Sequence, residues 1–128
     1  MEDNDCATGK WKLSFRRAFT AKVKRAIFER DAWKCAYCGF IGYQIDHVLP
    51  YSRGGPSIRQ NGVVACRKCN YAKCGTIRPD YLTKGFFRLI EKGEDLGWID
   101  YLWGLRLQGV RVPISTSEKM AELLQDPV

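Results

Sequence analysis

Apolar residues recur with a helical period in several stretches of the chain. Over residues 19–33 they follow one another at steps of three and four positions, which predicts an amphipathic helix with Thr20 as its N-cap. The same period predicts helices over residues 81–90 and 98–107, and a late Ser/Thr run offers N-caps for a terminal helix over 118–124. The aromatic residues of this second half then lie on helix faces, which form a core or a subunit interface more often than a base-stacking surface.

Two short extended segments lie between the first and second of these helix patterns. Residues 40–48 are rich in β-branched and aromatic side chains and predict a strand that ends before Pro50. A turn with two glycines and a proline over residues 52–57 predicts a mobile loop. Residues 62–65 predict a second strand or extended segment, and a short helix follows from about Asn70.

Length and composition narrow the class of protein. The 128 residues fit one small domain with limited room for an apolar core, so an additional staple is expected. No stretch of about 18 apolar residues occurs, and the acidic start lacks the basic and apolar parts of a secretory signal. The chain is therefore expected in the cytoplasm, with reduced thiols and no membrane association.

Four of the six cysteines form two CxxC pairs, Cys35 with Cys38 and Cys66 with Cys69. In a reducing compartment such pairs are better explained by zinc than by disulfides, because thiolates bind zinc well and cytosolic disulfides are rare. Four thiolates leave no open position for water, so the expected zinc is structural. The alternative is a set of unrelated buried thiols, and Cys6 and Cys74 remain outside the pattern.

The formal net charge of +7 and the pI near 9.2 favour a polyanionic partner. Nine Lys and Arg residues lie between positions 10 and 34, and no acidic residue occurs between Asp46 and Asp80. A general solubilising role explains an arbitrary basic stretch equally well. Here the bases surround the pair Asp46 and His47, which favours a site for phosphate.

The residues that suggest an active site occur in a fixed order along the chain. In sequence they are Cys35, Cys38, Asp46, His47, Pro50, Ser52, Gly54, Gly55, Asn61, Cys66, Cys69, Asn70 and Lys73. Taken singly, the lone histidine fits a structural role, and the aspartate and asparagines fit turns and caps. Together, over about residues 24–75, they resemble the signature of the HNH (ββα-metal) endonucleases.

The resemblance implies an α+β fold. Its core is a small zinc-stapled ββα-metal unit, HNH and treble-clef-like, with a basic N-terminal helix and a helical C-terminal extension. The implied divisions are a basic, flexible segment over residues 1–18, the nuclease domain over 19–78, and an extension over 79–128 packed on the same domain.

The resemblance also implies a role for each residue of the motif. Asp46 and Asn70 hold a divalent metal, Mg or another ion such as Mn or Ni, on the scissile phosphate. His47 follows Asp46 on the strand, points to the other face and acts as the general base that activates water. Asn61 ties the loop to the backbone and helps to orient that base.

Further residues are candidates for contacts with the nucleic-acid backbone. Arg53 and Arg59 lie in the loop between the strands and are expected to bind phosphate. Lys73 is a weaker candidate, since a solvated helix lysine is the more ordinary description. Some family members place another metal ligand where Cys74 stands, but a thiolate suits zinc better than magnesium.

The function expected from this resemblance is metal-dependent cleavage of DNA, by nicking or by cutting both strands. Two-strand cutting by a single active site requires a homodimer or two successive nicks. A bacterial, phage or mobile-element origin agrees with such an activity. The alternatives are a zinc-stabilised DNA-binding module without catalysis, which predicts salt-sensitive binding, and a subunit-interaction module.

Overall fold

The computed structural model describes residues 11–107, and these form a small α+β fold. In chain order the elements are helix α1 (Ala21–Asp31), strands β1 (Gln44–His47) and β2 (Gly62–Ala65), and helices α2 (Arg67–Lys73), α3 (Pro79–Glu91) and α4 (Gly97–Leu107). Two short 3-10 turns, Tyr51–Arg53 and Arg59–Asn61, lie between the strands. The terminal helix expected over residues 118–124 lies outside the described residues, as does Cys6.

Local interactions determine both ends of helix α1. The Thr20 side chain accepts a hydrogen bond from the backbone N–H of Val23 at 3.2 Å, which confirms the predicted N-cap. The helix ends because Ala32 and Trp33 both adopt positive φ angles. Its inner face buries Ile27 completely and leaves the basic residues of the opposite face exposed.

The two strands pair antiparallel, with His47 opposite Gly62 and Gln44 opposite Ala65. Gly62 allows a close approach at this point, because a Cβ atom there would lie 2.6 Å from Cδ1 of Ile27 and 3.0 Å from the Phe19 ring. Helix α1 therefore packs closely under the sheet. With α2 following β2 directly, the described elements confirm the ββα order and the α+β class expected from the sequence.

The turn over residues 52–57, expected to be a mobile loop, is largely buried. Its residues from Gly54 onward are buried, and Asn61 Nδ2 donates to the carbonyls of Leu49 at 3.0 Å and Pro56 at 2.9 Å. A Cβ atom on Gly55 would lie 1.8 Å from the Leu49 carbonyl oxygen. The glycines therefore allow close packing of the backbone here, a role that the turn composition does not reveal.

Helix α2 starts three residues earlier than the sequence suggested, at Arg67. The reason is its cap: the Cys66 Sγ atom accepts a hydrogen bond from the Cys69 backbone N–H at 3.3 Å. A thiol is not an ordinary N-cap residue, so helix propensities did not indicate it. The helix ends at Cys74, which has a φ angle of 42°, followed by Gly75.

Helices α3 and α4 cover the other side of the sheet and the loop. Leu89 of α3 packs with Val48 and Val63, whereas Trp98 and Leu102 of α4 are buried in a second cluster that includes Leu49 and Ile58. The Trp98 indole also donates a hydrogen bond to the Gln60 carbonyl at 3.0 Å. Within the described residues, no helix has both the length and the apolar character needed to cross a bilayer.

A buried carboxylate joins three of these elements. Asp31, at the end of α1, has a fully buried side chain that accepts from the Val64 backbone N–H in β2 at 2.9 Å. It also pairs with Arg30 at 2.7 Å and with Arg88 of α3 at 3.0 Å. These partners satisfy the carboxylate in the interior, where an unpaired charge is strongly unfavourable.

We predict that Asp31→Asn lowers the free energy of unfolding by about 3–5 kcal/mol, because Arg88 loses its buried counter-charge and Arg30 keeps only Glu94. The measurement is urea denaturation at constant metal content. Asp80→Asn is the matched control: that carboxylate is 60% exposed and lies 3.8 Å from Arg78, so its loss is expected to cost less than about 1 kcal/mol. Equal losses in both variants would contradict the structural role of Asp31.

Candidate active site

Four cysteine sulfurs meet beside the sheet. The Sγ atoms of Cys35, Cys38, Cys66 and Cys69 all lie within 4.8 Å of one another. The first pair follows α1, and the second occupies the cap and first turn of α2. Backbone N–H groups donate to two of the sulfurs, from Tyr37 to Cys35 at 3.4 Å and from Cys69 to Cys66. The cluster thus joins two chain segments that are distant in sequence.

This geometry is suited to a tetrahedral metal ion. A zinc ion with Zn–S bonds of about 2.3 Å separates its sulfurs by about 3.8 Å, which the observed spacing accommodates with small movements. Burial raises the pKa of Cys66, but hydrogen bonds with the Cys69 N–H and the neighbouring thiols together outweigh burial and lower the pKa to about 7. That direction favours the thiolate, the form that binds metal, at Cys66 alone. Burial raises the pKa of Cys38 and of Cys69. Cys74 is exposed and is not part of the cluster.

Asp46 and His47 line one cleft at the end of β1. The cleft has a volume of about 240 Å³. Its lining residues are Arg17, Asp46, His47, Pro50, Tyr51, Ser52, Lys73 and Gly75. The structure therefore brings the adjacent carboxylate and imidazole to a common space, with two basic side chains beside them.

The Asp46 carboxylate is held by two donors. Its Oδ2 atom accepts a hydrogen bond from the Tyr37 hydroxyl at 2.6 Å and lies 3.2 Å from the Lys73 ammonium. Burial raises the pKa of Asp46 above its usual range, although Lys73 and Tyr37 act in the opposite direction. Burial and the Asp46 charge also raise the pKa of Tyr37, so its hydroxyl remains a donor.

His47 lies in a largely apolar setting. Its ring stacks on Phe19 with a centroid separation of 4.3 Å, and its Nε2 atom is 2.8 Å from the Ser57 hydroxyl oxygen. Burial, and then the positive charges of Lys73 and Arg17, lower the pKa of His47 to about 4. The imidazole is therefore neutral near pH 7, the form that can accept a proton.

Each asparagine of the motif has a distinct position. Asn61 is fully buried, and its side chain bonds the backbone of Leu49 and Pro56, close to His47 but not in the cleft lining. Asn70, on α2, donates through Nδ2 to the Gln44 side chain at 2.8 Å. Gln44 and Asp46 point to the same face of β1, because side chains two residues apart on a strand share a face.

The basic candidates differ in accessibility. Lys73 is 1% exposed and also donates to the His47 carbonyl at 2.9 Å, so its ammonium points inward in this structure. Arg59 has a side chain that is 48% exposed and pairs with Glu94 at 2.9 Å. Arg53 ends the turn whose preceding residues line the cleft. Their expected contacts with phosphate stay predictions.

Sequence reasoning missed two residues that contact the pair and one that lines the cleft beside it. Tyr37 and Ser57 bond Asp46 and His47 directly, and Arg17 lines both the cleft and an adjoining cavity of about 420 Å³ beside His47 and Asn70. A tyrosine between two cysteines and a serine in a turn carry no chemical signal by themselves. Arg17 was visible only as part of a basic stretch.

Comparisons with known proteins agree with this geometry. A family model described as HNH endonuclease matches residues 35–74. Over 53 residues, covering 38% of the chain, the sequence is 36% identical to the CRISPR-associated endonuclease Cas9 of Corynebacterium diphtheriae. The matched stretch spans only 5% of that relative's length. No solved structure matches the chain at a comparable level of significance.

The matched residues include both thiol pairs, both strands and α2. They also contain the Asp46 and His47 pair, and the four-cysteine cluster lies at the two ends of the match. The family match, the order of the elements and the cluster agree with one another. The chain therefore carries a domain of the HNH endonuclease family over residues 35–74.

Proposed function

We propose that this chain is a metal-dependent endonuclease that hydrolyses phosphodiester bonds of DNA, by nicking or by cutting both strands. The observation that carries the proposal is the cleft in which Asp46 and a neutral His47 lie beside Arg17. Hydrolysis of a phosphodiester needs an activated water and compensation of phosphate charge, and these groups are suited to both tasks. The proposed setting is the cytoplasm of a bacterium or of a phage host.

In this mechanism His47 is the general base. Its neutral ring accepts a proton from water as the water oxygen attacks phosphorus, and the bond to the 3′ oxygen breaks. Phe19 stacks on the ring and Asn61 holds the neighbouring backbone, so the imidazole needs little reorientation. Such preorganisation is a general source of catalytic rate.

Asp46 and Asn70 are the residues proposed to hold the catalytic ion, Mg or another divalent metal such as Mn or Ni. Their oxygens are the ligand type that hard cations prefer. Because Asn70 Nδ2 donates to Gln44, its Oδ1 atom would be the one left to bind a cation. When bound, the ion supplies charge stabilisation at the phosphate and at the leaving oxygen.

Lys73 has a different role in this proposal from the one its position on α2 suggested. Its buried ammonium compensates the Asp46 carboxylate and anchors the His47 carbonyl. A contact with phosphate requires the side chain to leave Asp46. We therefore assign DNA backbone contacts first to Arg17, and then to Arg53 and Arg59.

The four-cysteine cluster is proposed to hold a structural zinc ion. Four thiolates fill a tetrahedral shell and leave no position for a reacting water. The cluster fastens the segment after α1 to the start of α2, and α2 carries Asn70. Zinc thus supports the catalytic residues without contact with substrate.

We predict that the protein converts supercoiled plasmid to nicked circles with Mg, Mn or Ni, and that His47→Ala lowers the rate by about 10²- to 10⁴-fold. Thr83→Ala, on the exposed face of α3, is the control and is expected to cut at the wild-type rate. Melting temperature and zinc content of all three proteins are compared in parallel.

Equal nicking by the wild type and His47→Ala would contradict the role of His47 as base. Absence of nicking with every metal, together with salt-sensitive retention of DNA, would support the non-catalytic binding module instead. Absence of both, with a dimeric mass in size-exclusion chromatography, would favour the subunit-interaction module.

We predict one zinc ion per chain, and a melting temperature that falls by about 10 °C or more after strong chelation, because zinc binding energy contributes to folding. Cys38→Ser is expected to lose the ion and to melt at a lower temperature. Because the Cys38 side chain is exposed, the substitution removes no core packing that could explain this loss of stability. Cys74→Ser, also exposed, is the matched control that keeps zinc and stability. An unchanged melting temperature after chelation would contradict a structural zinc ion at the four cysteines.

We predict that Arg17→Gln weakens DNA binding and reduces the slope of log affinity against log salt by about 1, because one phosphate contact is lost. Lys92→Gln removes the same charge at the end of α3, away from both cavities, and is expected to leave the slope unchanged. Binding is measured in the His47→Ala background by fluorescence anisotropy. Identical slopes for both variants would remove Arg17 from the interface.

A further inference from the structure

Ser57 connects the proposed base to a segment outside the family match. Its side chain is buried, with 5% of the residue exposed. The hydroxyl oxygen lies 2.8 Å from His47 Nε2, and the hydroxyl also donates to the Arg16 carbonyl. The Ser57 backbone N–H donates to the Ser14 carbonyl at 2.7 Å, so the residue is held on both its main chain and its side chain.

These contacts determine where the protons lie. A carbonyl oxygen only accepts hydrogen bonds, so the single hydroxyl hydrogen of Ser57 is used by Arg16. The remaining contact, between the hydroxyl oxygen and His47 Nε2, then requires a hydrogen on Nε2. A neutral imidazole carries one N–H, and therefore Nδ1 has the free lone pair.

We infer that Ser57 is a positioning residue that holds His47 in the tautomer protonated on Nε2 and leaves Nδ1 to accept the proton from water. The assignment of the tautomer stands on the contacts alone, whereas the task of Nδ1 rests on the proposed nuclease function. In that step one O–H bond of water breaks, its proton passes to Nδ1, and the oxygen forms the new bond to phosphorus as the bond from phosphorus to the 3′ oxygen breaks. Nε2 keeps its proton throughout, and this N–H continues to donate a hydrogen bond to the Ser57 hydroxyl oxygen.

The anchor for this arrangement comes from residues 14–19. The carbonyls of Ser14, Arg16 and Arg17 accept hydrogen bonds from Ser57, and Phe19 stacks on the His47 ring. These residues precede the match at 35–74 and form no helix or strand. The segment expected to be flexible therefore contributes to the orientation of the base. Among residues 11–107, no hydrogen bond reaches Nδ1, and His47 itself lines the cleft.

Nuclear magnetic resonance can test the tautomer directly, because the chain contains a single histidine. The protein is labelled with ¹⁵N, freed of any affinity tag that adds histidines, and studied in slightly alkaline buffer by long-range ¹H–¹⁵N correlation. The expected spectrum of the wild type has a protonated Nε2 and an unprotonated Nδ1. A protonated Nδ1 in the wild type would overturn the inference without any variant.

Two substitutions then separate positioning from general support of the fold. Ser57→Ala is expected to replace the single Nε2 tautomer by a mixture of both tautomers and to slow nicking by about 10- to 100-fold, as for other partners that orient a functional histidine. Ser57→Thr keeps the hydroxyl and is expected to restore both. Thr83→Ala removes an exposed hydroxyl from α3 and serves as the control.

The outcomes distinguish this inference from the proposed function. A folded Ser57→Ala protein with an unchanged tautomer would overturn the positioning role, whatever its activity. The expected tautomers in a wild-type protein that fails to cleave DNA with any metal would support the role of Ser57 and overturn the nuclease proposal. Equal nicking by wild type and Ser57→Ala, despite a changed tautomer, would overturn the assignment of Nδ1 as the base.

Discussion

A two-stranded sheet with four residues in each strand is the constraint on which the rest of the structure depends. Such a pair is marginally stable by itself and needs packing from other elements. Here α1 closes one face through Ile27, and α3 packs on the other side through Leu89. The four-cysteine cluster lies where β2 passes into α2. Every candidate catalytic group is attached to this small, well-supported pair or to its immediate surroundings.

Two buried carboxylates show how support and chemistry are divided. Asp31 is surrounded by arginines and a backbone N–H, so the protein itself satisfies its charge. Asp46 shares one oxygen between Tyr37 and Lys73 and also lines the cleft. The first carboxylate therefore stabilises the fold, whereas the second lines the cleft in which the proposed cation and phosphate would bind. Both follow from the rule that an interior charge requires a partner.

The sequence predicted the elements correctly where the interactions that determine them are local. The cap at Thr20, the strand before Pro50 and the helices that became α3 and α4 follow from spacing, propensity and breakers within a few residues. The loop over residues 52–57 differs, because its glycines serve contacts with Leu49 rather than freedom of the backbone. The early start of α2 also escaped prediction, since its cap is a cysteine whose position the sulfur cluster determines.

The sequence by itself determined the class of fold, the two thiol pairs and the motif around Asp46 and His47, because these signals lie in local spacing and residue order. Only the tertiary structure decided which groups contact that pair. The partners of Asp46 lie 9 and 27 positions away in the chain, and the carbonyl that binds Ser57 lies 41 positions from it. No local period encodes such contacts. They arise from packing, which places a tyrosine, a lysine and a serine where the chemistry needs them.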